Sequence, residues 1–284
     1  MTRTKKDAIA RSFRDACLAE LDALKPGNVH RHGDGHGMSV ADFEKSAEMA
    51  APVIGRTGLS VGTRIKLAVE ATRGAVGHNT NLGIILLAAP LAQAALTRGR
   101  NNLKGRLAGV LQKLSIEDAR EAYQAIRETR PGGLGEAPEQ DVASEPTVTL
   151  LEAMRAAEIR DRIAWNYTHD FTDVFDLGLK WLSHARERWH DQSWAAARVY
   201  LGFLAHVPDT LIERKYGERI AARVREEARP IESGLLQSAS PEAMAAPLKA
   251  FDLALKERGL NPGTSADLTV ATLFAAALEE PQKH

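Results

Sequence analysis

A single cysteine in 284 residues excludes an internal disulfide and any cysteine-built zinc or iron-sulfur centre within one chain, and it favours a reducing compartment. Charge of one sign is also missing. Lysine and arginine (37) balance aspartate and glutamate (37), so there is no general attraction to phosphate polymers or anionic lipid, and nucleic acid and membrane surfaces are poor partners. No apolar run approaches the ~20 residues needed to span a bilayer, the longest being 83–95 with Pro90 and Gln93 inside it. The first residues are polar and lead into no signal-type segment, which points to the cytoplasm. Aromatics are scarce at 5%, so a pocket for a flat base would rest on aliphatic and amide walls more than on stacking. Walker-type and strand-borne Gly-x-Gly-x-x-Gly signatures are absent too; Gly33, Gly35 and Gly37 alternate on a loop.

What is present is helical. Apolar residues recur at three- and four-residue spacing almost throughout, and runs of β-branched residues are few. The pattern predicts helices over 5–24, 39–51, 60–75, 81–97 and 103–114, another starting at Ser115, then 147–167, 170–187, 193–205, 209–227, 231–258 and 265–279. Ser39 and Ser115, each followed three residues later by Asp, read as capping boxes, and Pro52 is expected to interrupt the second helix. Residues 130–146 carry four prolines or glycines in their first six positions and several acids, which marks a long loop, either disordered or a lid. The expectation is one all-α domain over 1–284, of about ten or more helices, with that loop across one face.

Four polar segments at helix ends do not look like plain connections, because unpaired backbone N–H groups there can receive anions. Residues 25–38 place three His, four Gly, Lys25, Arg31 and Asp34 within fourteen positions, where Lys25, Arg31 and the imidazoles of His30, His32 and His36 could meet phosphate oxygens. A zinc site on His30, His32 and His36 finds little support in their spacing. In residues 72–83, His78, Asn79, Thr80 and Asn81 precede a strongly apolar helix; one of them is a plain N-cap, which leaves the others unexplained. Glu70, just upstream, is a solvent-facing charge or a site carboxylate. Residues 208–217 hold Asp209, Thr210, Arg214 and Lys215, and residues 261–269 hold Thr264, Ser265 and Asp267 at another helix start, where a negative charge suits the dipole.

Taken in order, Lys25-Pro-Gly-Asn-Val-His30, Gly35-His36-Gly-Met38, Ser39-x-x-Asp42-Phe43-x-x-Ser46, Glu70-Ala-Thr72-x-Gly74, Asn79-Thr80-x-x-Gly83, Asp209-Thr210-x-x-x-Arg214-Lys215-x-Gly217 and Pro262-Gly-Thr-Ser-Ala-Asp267 resemble the motifs of the triphosphoribosyl-dephospho-CoA synthase family. The resemblance runs from about residue 20 to residue 275. It implies an all-α enzyme that takes ATP and 3′-dephospho-CoA, releases adenine and joins the triphosphoribosyl group to the CoA ribose, making the precursor of a decarboxylase prosthetic group. Such a substitution at ribose C1′ needs a cationic clamp with Mg²⁺ on the triphosphate and a carboxylate near the reacting centre.

The resemblance assigns phosphate or nucleotide contacts to Lys25, Asn28, His30, His36, His78, Asn79, Thr80, Asn81, Arg214 and Lys215. General-base work falls to Glu70, Asp209 or Asp267, and Mg²⁺ to Asp209 and Asp267. ATP and a small acceptor such as dephospho-CoA are the implied partners, with a homodimer left open. The chain departs from citrate-pathway members at His30, at His36-Gly-Met-Ser39 and at Asn81-Leu-Gly83, where acids and a lysine are lost. It looks in this like archaeal and methylotroph branches, which adds a second reading: an enzyme of tetrahydromethanopterin- or methanofuran-linked one-carbon metabolism acting on another phosphorylated substrate. A third is a helical protein that binds nucleotide without turnover.

Overall fold

The computed structural model describes residues 5–135, 137 and 139–280. Among these the regular structure is entirely helical: fourteen α-helices, one π-helical segment and one 3₁₀ turn, with two isolated β-bridges inside the loop that follows α1. In chain order the helices are α1 (Lys5–Asp22), α2 (Val40–Ile54), α3 (Val61–Val76), α4 (Leu82–Leu96), α5 (Leu103–Leu111), α6 (Ile116–Thr129), α7 (Leu150–Ala157) and α8 (Arg162–Thr168). After the π segment Asp173–Gly178 come α9 (Leu179–Trp189), α10 (Gln192–His206), α11 (Thr210–Tyr216), α12 (Glu218–Gln237), α13 (Ala245–Glu257) and α14 (Gly263–Glu279).

Three helices are apolar on nearly every side, and such helices can only sit in the middle. Between Leu82 and Ala95, all but Gly83 and Gln93 of α4 are buried; α10 is buried from Ala195 to Ala205, and α14 is buried at every position from Leu268 to Ala276. α14 packs against α1, α4, α10 and the π segment. Around that centre α1, α2, α3 and α6 follow one another as neighbours, and a second apolar cluster joins α10 to α12 and α13 through Tyr200, Leu204, Val224, Leu235, Leu248 and Leu255.

Local chemistry sets the helix boundaries. Both Ser-x-x-Asp capping boxes form: Ser39 and Ser115 each accept from the third helical N–H, and Asp42 and Asp118 return the bond to the cap. Pro52 does not end α2, contrary to the expectation from its ring. It lies on the exposed face two residues from the end, and the carbonyls of Val53, Ile54 and Arg56 are taken by the buried Arg64 guanidinium, which also meets Gln93 Oε1 at 2.8 Å. The single helix expected over 147–167 is two, because Asp161 caps a new start with bonds to the N–H of Ile163 and Ala164. The helix expected over 209–227 divides at Gly217, whose φ of +88° is a conformation that a side chain would strain. α12 then runs on through Pro230 to Gln237, so the boundary expected near residue 231 is absent.

Candidate functional site

A cleft of about 450 Å³ opens where the end of α1, the start of α4, α11, the start of α14 and the stretch after α6 converge. The starts of α4 and α14 lie against each other there. A Cβ on Gly83 would fall 2.0 Å from Asp267 Oδ2, so only glycine lets the carboxylate rest on the first turn of α4. That contact joins two of the polar segments picked out in the sequence.

The lining carries both signs of charge. His78, Arg130, Arg214 and Lys215 bring cationic or imidazole groups from α6, α11 and the turn before α4. Glu20, Asp161 and Asp267 bring carboxylates. Arg214 Nη1 meets Asp161 Oδ2 at 2.6 Å, while Arg214 Nε is buried with no hydrogen-bond partner among the described residues. Asp267 stands apart from such pairing: burial, then the nearby charges of Asp209, Glu20 and Asp161, push its carboxyl well above the usual range, against a smaller pull from Arg214.

Of the residues singled out in the sequence, the fold brings Asn28, His78, Asn79, Thr80, Asn81, Arg214, Lys215 and Asp267 to the cleft wall. Asn79 Oδ1 accepts from Leu82 N at 3.1 Å and so performs the capping that position alone suggested for Asn81; Asn81 Nδ2 instead donates to Thr72 Oγ1. Thr80 Oγ1 lies 2.5 Å from Ser46 Oγ, which itself donates to the Asp42 carbonyl. His78 Nε2 is 3.8 Å from Asp42 Oδ2.

The others lie elsewhere. Glu70 is an exposed residue of α3 and does not border the cleft. Asp209 is buried behind the wall, with Oδ1 accepting from Ile212 N and Oδ2 from both Ser265 N and Ser265 Oγ at 2.8 Å. It thereby ties α11 to α14. Lys25 is buried under the floor, paired with Glu20 Oε1 and with Asn28 Oδ1 at 3.0 Å, and burial lowers its ammonium from the usual range. His30 is buried with Nε2 3.3 Å from Asp252 Oδ2 on α13, and Nδ1 accepts from His32 N. His36 Nε2 bonds the Gly27 carbonyl at 2.7 Å. The imidazoles at 30 and 36 bond within the loop.

Sequence reasoning missed Glu20, Arg130, Asp161 and Asn261. Glu20 looked like one polar residue on an amphipathic helix, and Asp161 fell inside a pattern read as continuous helix. The one usable signal was in the long loop: its first residues, Arg130 to Gly132 and Leu134, line the cleft, and Gly132 and Gly133 let it pass against Lys215 and Arg214. Tyr123 Oη and Arg127 Nη1 pin its far half by donating to the carbonyls of Gln140 and Val142.

The arrangement can seat a polyanion against the cationic side while holding carboxylates close to whatever is attached to it. Over 98 residues, 34% of its length, this chain is 38% identical to an Albidiferax ferrireducens protein bearing the name of a 2-(5″-triphosphoribosyl)-3′-dephosphocoenzyme-A synthase. The match spans about a third (31%) of that relative's length. The fold is that of an Archaeoglobus fulgidus crystal structure carrying the name of a triphosphoribosyl-dephospho-CoA synthase, with a TM-score of 0.65, 24% identity and coverage of 82% of this chain and 97% of that one. Residues 6–284 match the family described as CitG, ATP:dephospho-CoA triphosphoribosyl transferase, and the chain belongs to that family.

Proposed function

We propose that the protein transfers the triphosphoribosyl group of ATP to dephospho-CoA and releases adenine, as a single domain acting in the cytoplasm. The observation that carries this reading is the mixed charge of the cleft: His78, Arg130, Arg214 and Lys215 for a triphosphate, and the carboxylates of Glu20, Asp161 and Asp267 among them for a reaction at the adjoining sugar. His78, Arg214 and Lys215 clamp phosphate, with Arg130 added from the loop. Asn28, Asn79 and Asn81 supply amide walls for ribose or base, in keeping with the scarcity of aromatics.

The donor set fits a Mg²⁺ that arrives on the nucleotide. Among the described residues no three His, Cys, Asp or Glu side chains converge as a metal cage. Mg²⁺ on a nucleotide needs only one or two carboxylates and the phosphates themselves. Asp267 suits this part, since a cation would relieve the repulsion among Asp267, Asp209 and Glu20; Asp209, with both oxygens already bonded, does not. The metal supplies charge neutralisation on the triphosphate. Neither the one-carbon reading nor the non-catalytic one draws support from the family match.

Incubation of the purified protein with ATP, Mg²⁺ and dephospho-CoA is expected to yield free adenine, detected by chromatography, only when all three are present. Adenine absent from every such mixture would refute the reading. Asp267→Ala is expected to abolish the Mg²⁺-dependent part of ATP affinity in calorimetry, and unchanged affinity would remove Asp267 from the site.

A further inference from the structure

Glu20 occupies the inner stripe of α1, almost wholly buried, at the floor of the cleft. Its Oε1 accepts from Lys25 Nζ. Lys25 also donates to Asn28 Oδ1, and Asn28 Nδ2 donates to Asn261 Oδ1 at 2.8 Å. The chain of bonds runs from the end of α1 to the turn before α14. Oε2 of Glu20 has no donor among the described residues.

A buried ion pair is an expensive way to hold two helices together, because an apolar pair of the same volume is often as stable or more so. One kept at the floor of a cleft, with half of the carboxylate unengaged, points to chemistry. The other acids of the site are otherwise occupied. Asp161 holds Arg214 and caps α8, Asp209 has both oxygens bonded, and Asp267 has no cation bonded to it among the described residues. Glu20 alone combines a bonded cation with an oxygen open to a ligand.

We propose that Glu20 is the general base of the transfer, receiving the proton of the acceptor hydroxyl on Oε2, with Lys25 as the positioning residue behind it. The assignment rests on the transfer reading above. As the hydroxyl oxygen forms its bond to C1′, the C1′–N bond breaks and the departing adenine keeps that electron pair. Adenine takes a proton from water, and Glu20 returns the one it received to water, so charge and protons balance.

The test must separate a base from a structural strut. Glu20→Gln is expected to lower dephospho-CoA-dependent adenine release by a hundredfold or more, as loss of a general base does by about 10²–10⁴. ATP affinity should stay within about threefold, since the base touches the acceptor. Because the lone Lys25 left behind could by itself unsettle the fold, the deciding variant is Glu20→Leu with Lys25→Met, which removes both charges. Recovery of the wild-type melting temperature without recovery of turnover supports the base. Turnover of the double variant within about threefold of wild type shows a strut and overturns it. If the wild type itself releases no adenine with dephospho-CoA, the transfer reading falls and the base assignment falls with it; if the wild type and the variants are all active, the base assignment alone falls.

Discussion

The loop after α1 and the loop after α6 differ in what their polar groups do. Residues 25–38 hold the densest set of imidazoles and glycines in the chain, yet His30 is spent on Asp252, His36 on the Gly27 carbonyl and Lys25 on Glu20 and Asn28. Residues 130–135 hold one arginine, one proline, one leucine and three glycines, and they form part of the cleft wall. The first loop is a framework that is bonded from within and anchored to α13; the second is a surface. Hydrogen-bonding capacity in a sequence shows where bonds will be made, and only the fold decides whether the partner is the protein or a ligand.

Three measurements would break or sharpen that contrast. The largest effect is expected from Asp252→Ala, which strips the framework loop of its anchor. Asp252 accepts from Gly27 N at 2.8 Å and from Lys256 Nζ at 3.0 Å, and it faces His30. Leaving those buried groups unpaired should cost about 3 kcal/mol in urea unfolding. A loss below about 1 kcal/mol would mean that the loop holds itself. Arg130→Ala should act the opposite way, weakening ATP binding about tenfold, or ~1.4 kcal/mol, with stability unchanged within ~0.5 kcal/mol, because it removes a wall cation and no framework bond. Equal ATP affinity would make the second loop mere packing.

The smallest effect is one of pH. Burial holds the His30 imidazolium below its ordinary value of 6.5, and the facing His30 with bonds from Gly27 and Lys256 holds Asp252 below its own despite burial. The unfolded chain therefore takes up protons at pH values where the folded chain does not, so both groups contribute stability that is lost on acidification. For His30 the loss begins as pH falls through about 6.5. His30→Gln should flatten the decline in unfolding free energy between about pH 7 and pH 5 relative to wild type. An identical slope would place the titration elsewhere.

Most of the architecture was legible because helices announce their starts chemically. Ser39 and Ser115 cap where the sequence places them, and α4, α10 and α14 are central because they have no polar face. The breaks at Asp161 and Gly217 were hidden because apolar spacing continues across both. The site was legible in half. His78, the Asn79–Asn81 turn, Arg214, Lys215 and Asp267 stand out as polar groups beside apolar helix starts, and they converge. Glu20 does not stand out, since a lone acid on an amphipathic helix is what a solvent face offers; its burial follows from α14 lying over α1, a contact between elements some 250 positions apart that no local pattern contains.

That contact sets the order in which the protein becomes competent. The floor of the cleft takes Glu20 from the first helix and Asp267 and Asn261 from the last helix and the turn before it, with Gly83 of α4 pressed between. During synthesis at roughly 5–20 residues per second, α1, α4 and α10 must wait for α14 with their apolar faces uncovered. No shorter nascent chain can assemble the floor. The floor of the cleft is therefore completed in one step, when α14 packs onto α1 and α4.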